Sequence, residues 1–379
     1  MALFSKKEII SFALVDINST SVGVALAHVS AGSPPLLYYT ERTTIESKEH
    51  ETSEEAMLRT LHTAAEQLVT KGGPMLRQET GSGHIDRIVV SVGSPWQKTT
   101  VRIETLEDKK PFIFTKALMA DVTHRGEELP EGYTKSSETV VATLLNGYET
   151  PVPFNKKASR ADLVILSSLL DTNVSKDVES LLRKTYHTHA LTLTGFAPVA
   201  YSSFRNLYPH EKDFLVIEVS EEATDIAFVK HGLLMNVATV DHGINDLIRD
   251  VQEGAKKITP TAEGGSSLMD PVRNASFAQQ AAAASKIWLD KLSVVFREFA
   301  VRSALPRTLF LLAGPEARDY LRNTLASQEL RALWLTDDPL RVITVVPAHF
   351  ANFVKNRGTA EGDVFLSLLA LFSAKQSSE

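Results

Sequence analysis

Two stretches of the chain place apolar runs of strand length on either side of a short polar turn, each with an acidic residue near the end of the first run. Phe12–Val29 reads FALVDINSTSVGVALAHV, and Phe214–Lys230 reads FLVIEVSEEATDIAFVK. Displaced by 202 positions, Asp16 falls on Glu218 and Asn18 on Ser220. Such runs bounded by Asn, Ser and Gly predict paired strands. A hairpin at His231-Gly232, a third strand and a Gly-led helix are expected after the second copy. After the first copy come a strand over Leu36–Ile45 and a helix over Glu54–Val69. That helix carries Met57, Leu58, Leu61, Ala64, Ala65 and Leu68 on one stripe.

The middle of the chain predicts two strands within Ile85–Ile103, a helix over Phe114–Arg125 and a loop over residues 126–137. Strands over Glu138–Asn146 and Leu163–Ser168 follow, then a helix over Ser175–Tyr186 with Ser175 as its N-cap. Further on, residues 256–276 carry Gly and Pro breaks and little periodicity, which predicts a mobile loop. Phe277–Ser303 is a long helix with Trp288, Leu292, Val295 and Phe299 facing the core. Strands over Thr308–Ala313 and Arg341–Val346 and helices over Ala317–Ala326 and Asp363–Phe372 complete the chain. This alternation predicts α/β layers.

With 379 residues, 43% of them hydrophobic, the chain has material for more than one domain. A formal charge of −6 gives no basis for nucleic-acid binding. The absence of cysteine excludes thiolate metal sites and cysteine nucleophiles, and fits a reducing cytosol. The apolar run Val364–Phe372 is shorter than the ~20 residues a membrane span needs. No transmembrane segment or signal peptide is expected.

The order strand–acid–turn–strand, insertion, second such unit, long helix and LLAGPEARDYL resembles the FtsA/PilM branch of the actin-like ATPase superfamily. The resemblance implies two facing actin-like, ribonuclease-H-like halves with an inserted α+β subdomain in the first. On this reading residues 8–83 form the first half, with 191–210 and 361–375 returning to it. Residues 84–190 form the inserted subdomain and 211–360 the second half. Between the halves it implies a nucleotide cleft lined by Asp16, Asn18, Ser19 and Thr20 of one clamp and Glu218, Ser220, Thr224 and Asp225 of the other. Gly243 leads the following helix, and Gly314 marks the adenosine-side loop. The segment Ala190–Phe204 resembles the linker helix of the branch.

Departures from the family pattern weigh against nucleotide chemistry. Clamps that hold phosphate open on Asp-x-Gly, so that the backbone can approach and offer N–H donors. Here Asn18 and Ser220 replace glycine, Glu218 replaces Asp, and Pro315 lacks an N–H. Two like charges ~4 Å apart repel by about 4 kcal/mol at an effective dielectric of ~20, which sets Glu221 and Glu222 against a triphosphate. The cleft is therefore read as vestigial, with no catalytic residue, no metal and no cofactor. Mg-ATP is the ligand expected if the cleft still functions. Asp16, Glu218 and Asp225 as a cation site, His187 and His189 as ligands, and His242 as a catalytic base are each set against plain polar or packing roles, which are preferred. The sequons at Asn18, Asn173 and Asn274 are read as chance.

FtsA-type division proteins carry a basic amphipathic membrane helix at the C-terminus, whereas this chain ends SAKQSSE after its closing helix. The opening MALFSKKEIISFALVDI also resembles that of PilM-type proteins. The resemblance thus implies a catalytically inactive scaffold of a type IV pilus or secretion platform, in the cytoplasm and recruited to the inner face of the membrane. Its partner would be an inner-membrane assembly protein, bound through a short cytoplasmic peptide beside the inserted subdomain. Self-association stays open. The alternative is an FtsA-type protein with ATP-dependent polymerisation.

Overall fold

The computed structural model describes residues 9–30, 32–123, 125, 129–258, 278–327, 330, 332–334, 340–357 and 360–377. Most of the loop expected over 256–276, the sequon at Asn274 and the leader before Ile9 lie outside the described residues. Residues 256–258 close a helix.

The chain begins with β1 (Ile9–Ile17), β2 (Ser21–Ser30) and β3 (Leu36–Thr44), an antiparallel meander. Helix α1 (Ser53–Gln67) follows. It starts in a capping box in which Thr52 and Glu55 satisfy each other's backbone N–H. Its stripe of Met57, Leu61, Ala64 and Ala65 is fully buried on the sheet. A π turn (Leu68–Gly72) and α2 (Gly73–Thr80) lead to β4 (Arg87–Val92). β4 runs parallel to β1, pairing Val89 with Leu14 and Ser91 with Asp16. The strand expected inside an inserted unit beginning at 84 is thus central to the first sheet, because its run IVVSV is apolar enough to be buried on both faces.

The insertion is built from β5 (Gln97–Ile113), β6 (Tyr133–Leu145), β7 (Tyr148–Glu149) and β8 (Lys157–Asp171), with α3 (Lys116–Thr123) between the first two. The sheet order is β5-β8-β6-β7, all antiparallel. Residues 133–137, expected as loop, are strand, and both central strands run longer than their apolar cores. Ladder pairing extends into polar sequence because one face of this sheet is half-exposed. The insertion's ends close on each other: Gln97 pairs with Leu170, and the Asp171 N–H donates to Trp96 O at 2.9 Å.

Helix α4 (Thr172–Tyr186) packs Val174, Val178 and Leu182 into the core of the first half. Its N-cap is Asp171, whose carboxylate accepts from the N–H groups of Asn173 and Val174. Ser175, expected there, lies buried inside the helix, so the start falls one turn earlier. Leu191–Gly195 of the expected linker helix form β9, parallel to β4, and α5 (Phe196–Leu207) supplies the helix itself.

The second half repeats the plan. β10 (Phe214–Val219), β11 (Thr224–Lys230) and β12 (Leu233–Val240) form a meander, followed by α6 (Ile244–Ile258) and α7 (Ala278–Arg302). β13 (Thr308–Ala313) runs parallel to β10, α8 (Arg318–Leu325) follows, and β14 (Arg341–Thr344) is parallel to β13. The first sheet has the order β3-β2-β1-β4-β9 and the second β12-β11-β10-β13-β14, the same connectivity twice. Asp16 pairs with Gly23 and Glu218 with Asp225, so the two hairpins share one register. Of the long helix, Trp288, Leu292 and Phe299 are buried as expected; Phe296 is fully buried where Val295 is only partly so.

Two short elements return to the first half. β15 (Lys355–Asn356) pairs with β3, although residues 211–360 are expected in the second half, and α9 (Val364–Gln376) buries Leu366, Leu368, Leu369 and Ala370. Among the described residues no helix is long and apolar enough to cross a membrane.

Candidate functional site

Both hairpin turns and the α6 N-terminus face the cleft between the halves, and their chemistry is fixed by what already occupies them. In the first turn the Asn18 side chain accepts from the N–H of Ser21 at 2.8 Å, the N–H of Thr20 at 3.2 Å and the Ser21 hydroxyl at 3.1 Å. Asn18 N–H donates to Ser21 O. Donors that a phosphate would need are therefore spent inside the turn. Ser19 Oγ is buried with no hydrogen-bond partner.

Arg42, on β3, occupies the space in front of this turn. Its guanidinium donates from Nη2 to Asp16 at 2.9 Å, from Nε to Asp363 at 2.7 Å and from Nη1 to Ser21 Oγ at 3.0 Å, and it lies over the Phe365 ring. A Cβ on Gly23 would stand 2.6 Å from Nη2, so this glycine makes room for a resident side chain. One positive charge serves the buried Asp16 and the half-buried Asp363. Burial pushes Asp16 up to about 6 against the pull of Arg42. Burial also works against Asp363, but two guanidinium N–H groups and the N–H of Leu366 hold it below the usual range.

Among the described residues no cation pairs with the carboxylates of the second turn, although the charge of Arg42 reaches Glu218. Glu218 is 5% exposed, and its Oε2 has no hydrogen-bond partner. Burial, reinforced by the charges of Asp225, Asp16 and Glu221, raises its pKa well above the ordinary value. Asp225 is also raised, first by burial, although Ser94 and Thr239 donate to it. The Ser94 bond, 2.9 Å long, crosses from the first half to the second. Ser220 closes its own turn: its hydroxyl accepts from Ala223 N–H, and its N–H donates to Ala223 O. Thr224 is fully buried, accepting from Trp288 Nε1 and donating to His242 O. It is a core residue, and no ligand could reach its hydroxyl without displacing Trp288.

The α6 N-terminus is likewise engaged. Gly243 N–H donates to the Asp246 carboxylate at 2.9 Å, and the N–H groups of Ile244 and Asn245 donate to the carbonyls of Ser220 and Glu221. A Cβ at Gly243 would sit 2.5 Å from the backbone of Glu221 and Glu222, so glycine here permits helix-on-turn packing. Glu222 is raised by burial and by Glu221, Asp246 and Glu54, the last from α1 across the cleft. At Gly314 a Cβ would meet nothing within 4 Å.

Asp16, Glu218 and Asp225 thus lie within electrostatic reach of one another, and Asn18 and Ser220 each close a turn beside them. Among the described residues no group of His, Asp or Glu has the arrangement to hold a metal ion. His187 and His189 are exposed, and His242 is a buried packing residue between Lys291 and Asp250. Arg42 is the cleft residue that sequence reasoning missed. Its surroundings, TERTT, read as an ordinary exposed strand, and its partner Asp363 is 321 positions away.

A second concavity lies between the inserted sheet, α5 and the C-terminal end of α9, with a volume of about 260 Å³. Val140, Val141, Leu166 and Phe372 give it apolar walls, and Arg205 and Lys375 give it positive charge. β6 forms one wall. Between Lys135 and Thr143 its edge away from β8 pairs with no strand among the described residues, and β7 covers only Leu144 and Leu145.

No protein-family model matches the sequence, and no curated protein matches it. The structure is similar to that of a PilM–PilN type IV pilus biogenesis complex, with a TM-score of 0.57 and 13% identity, covering 98% of this chain and 99% of that one. Weaker likenesses include a protein of actin-like ATPase fold and unknown function from Bacteroides thetaiotaomicron (TM-score 0.44, 10% identity, 98% of each chain). The ethanolamine utilization protein EutJ from Carboxydothermus hydrogenoformans is similar at the same level (TM-score 0.46, 10% identity, 96% of this chain and 90% of that one). The first likeness shows that the chain shares the fold of that neighbour across nearly its whole length.

Proposed function

We propose that the chain is a scaffold of a type IV pilus or secretion platform that works without nucleotide hydrolysis. In this reading it holds an extended cytoplasmic peptide of an inner-membrane assembly protein against β6. The carrying observation is the unpaired β6 edge running along the wall of the 260 Å³ groove. Backbone N–H and C=O groups on such an edge supply affinity by strand addition, and alternate side chains entering Val140, Val141 and Phe372 supply selectivity. The PilM–PilN likeness supports this choice of partner class.

The vestigial reading of the cleft rests on Arg42, whose guanidinium fills the space against Gly23 and binds Asp16 and Ser21 of the first turn, and on turn donors already satisfied. Recruitment to host membranes tests the function. Thr139 is exposed and lines the groove, so Thr139→Trp fills it without disturbing the core. Wild-type protein is expected to sediment with the membrane fraction and the variant to stay soluble. Equal sedimentation of both sinks the proposal.

A further inference from the structure

The outward face of α7 carries Ile287, Val294 and Val301 at 45%, 54% and 85% exposure, spaced by seven residues on one line of the helix. Its inward face is fully used by Trp288, Leu292, Phe296 and Phe299, so the outer stripe plays no part in the core. At 1.5 Å per residue the three side chains span ~21 Å. Asp290 and Arg297, both exposed, lie between them on the same line. Asp290's contact with Lys286 is an exposed 3.8 Å pair, too weak to hold it in place.

We infer that this face is a self-association surface, on which α7 pairs antiparallel with α7 of a second copy about a twofold axis at Val294. That arrangement sets Val294 against itself, Ile287 against Val301 of the partner copy, and Asp290 against Arg297 of the partner copy, twice over. A parallel pairing would instead oppose Asp290 to Asp290 and Arg297 to Arg297. The charges therefore select the direction as well as the occupant. A contact confined to one 25-residue helix is small beside the ~1,600 Å² of a standard interface, so the dimer is weak in dilute solution. Copies concentrated on a shared platform would pair far more completely.

The chain has no cysteine, which makes single-cysteine cross-linking clean. Under mild oxidation by glutathione disulfide, Val294→Cys is expected to form a disulfide dimer much faster than Ala351→Cys, an exposed control away from this face. Ile287→Cys and Val301→Cys should cross-link with each other when mixed and hardly at all alone. In sedimentation equilibrium, Asp290→Arg or Arg297→Asp should each weaken association by about tenfold, and the double exchange should restore it. A chain that stays monomeric at its highest soluble concentration overturns the inference, as does cross-linking at Val294 no faster than at Ala351. Failure of the double exchange to restore association overturns the antiparallel register. Protection of the Val294→Cys thiol by phosphatidylglycerol vesicles, in a monomeric chain, would assign the face to a lipid surface instead.

Discussion

The two clamps share a register, a turn length and a parallel neighbour strand, yet they deal with a buried carboxylate in opposite ways. Asp16 has a cation: Arg42 reaches in from β3, across β2, and ties the turn to Asp363 at the start of α9. Glu218 has no paired cation among the described residues, keeps an unpartnered oxygen, and is pushed towards its neutral form by burial and by three acidic neighbours against a weaker pull from Arg42. One clamp is filled and the other discharged. Either state avoids the cost of an unpaired buried charge, which a bound metal would otherwise remove. Each clamp thus handles its carboxylate with its own groups, and each can be perturbed separately.

The largest effect is expected at Arg42. Arg42→Met keeps much of the aliphatic volume but strands Asp16 and Asp363 without their counter-ion. Breaking one partner out of a buried ion pair costs about 3–5 kcal/mol. Urea denaturation should show a loss of about 4 kcal/mol. A loss below ~1 kcal/mol would mean that solvent already screens the pair and that Arg42 does not hold the first clamp together.

Next in size is a pH dependence with an unusual sign. Asp16 is raised from 3.8 to about 6, so between these values the folded chain binds more protons than the unfolded one. Stability from this group is therefore fully present below pH ~4 and lost as pH rises through ~6, by about 3 kcal/mol. Carboxylates lowered by their partners, such as Asp363 and Asp213, act in the opposite direction at lower pH. Comparison with Asp16→Asn cancels them. The stability difference between wild type and Asp16→Asn should shift in favour of wild type from pH 7 to pH 4, and a flat difference would refute the raised value.

Much of this architecture is legible in the sequence because it is carried by local pattern. The displacement that sets Asp16 on Glu218 also sets Gly23 on Asp225, and the structure pairs them accordingly. What could not be read is whatever depends on distant partners. Arg42 becomes a cleft residue only through Asp363, and β4 joins the first sheet only once β1 and β9 flank it. The inserted strands outrun their apolar segments because pairing with a neighbour, not burial, sets their ends. Asn18 and Ser220 were legible as missing glycines, but not as the groups that satisfy the turns in the glycines' absence.

The glycines left in the cleft sharpen the comparison further. Gly243 holds α6 against the second turn, and a methyl group there would stand 2.5 Å from backbone atoms that cannot move aside alone. Gly243→Ala should cost about 2 kcal/mol in urea denaturation, as overpacked sites do. Gly314→Ala meets open space and should change stability by less than ~0.5 kcal/mol. Similar losses at both positions would show that the second-clamp packing described here is not what Gly243 serves. Glu218→Gln is expected to be near neutral below pH ~4.5 and increasingly stabilising as pH rises from there towards the raised pKa of Glu218, because over that window the unfolded chain ionises the carboxyl while the folded chain keeps it protonated.

The smallest expected effect is none at all. A ligand bound with a Kd of ~10 µM and supplied at ~1 mM stabilises the folded chain by about 2.7 kcal/mol, which moves the melting temperature by a few degrees. For wild type with Mg-ATP the expected shift is zero, since Arg42 fills the first clamp and Gly243, Ile244 and Asn245 have given their N–H groups to Asp246 and to the second turn. Arg42→Ala with Mg-ATP separates the two clamps as causes. If Arg42 alone excluded the ligand, the variant would gain a shift that the wild type lacks. Zero in both is expected, because the second clamp still presents Glu221 and Glu222 to the phosphates, and like charges at contact distance repel by several kcal/mol. A shift of several degrees in wild type would mean that Arg42 swings away and the cleft still works as a nucleotide site. That result would remove the basis for reading this chain as a scaffold.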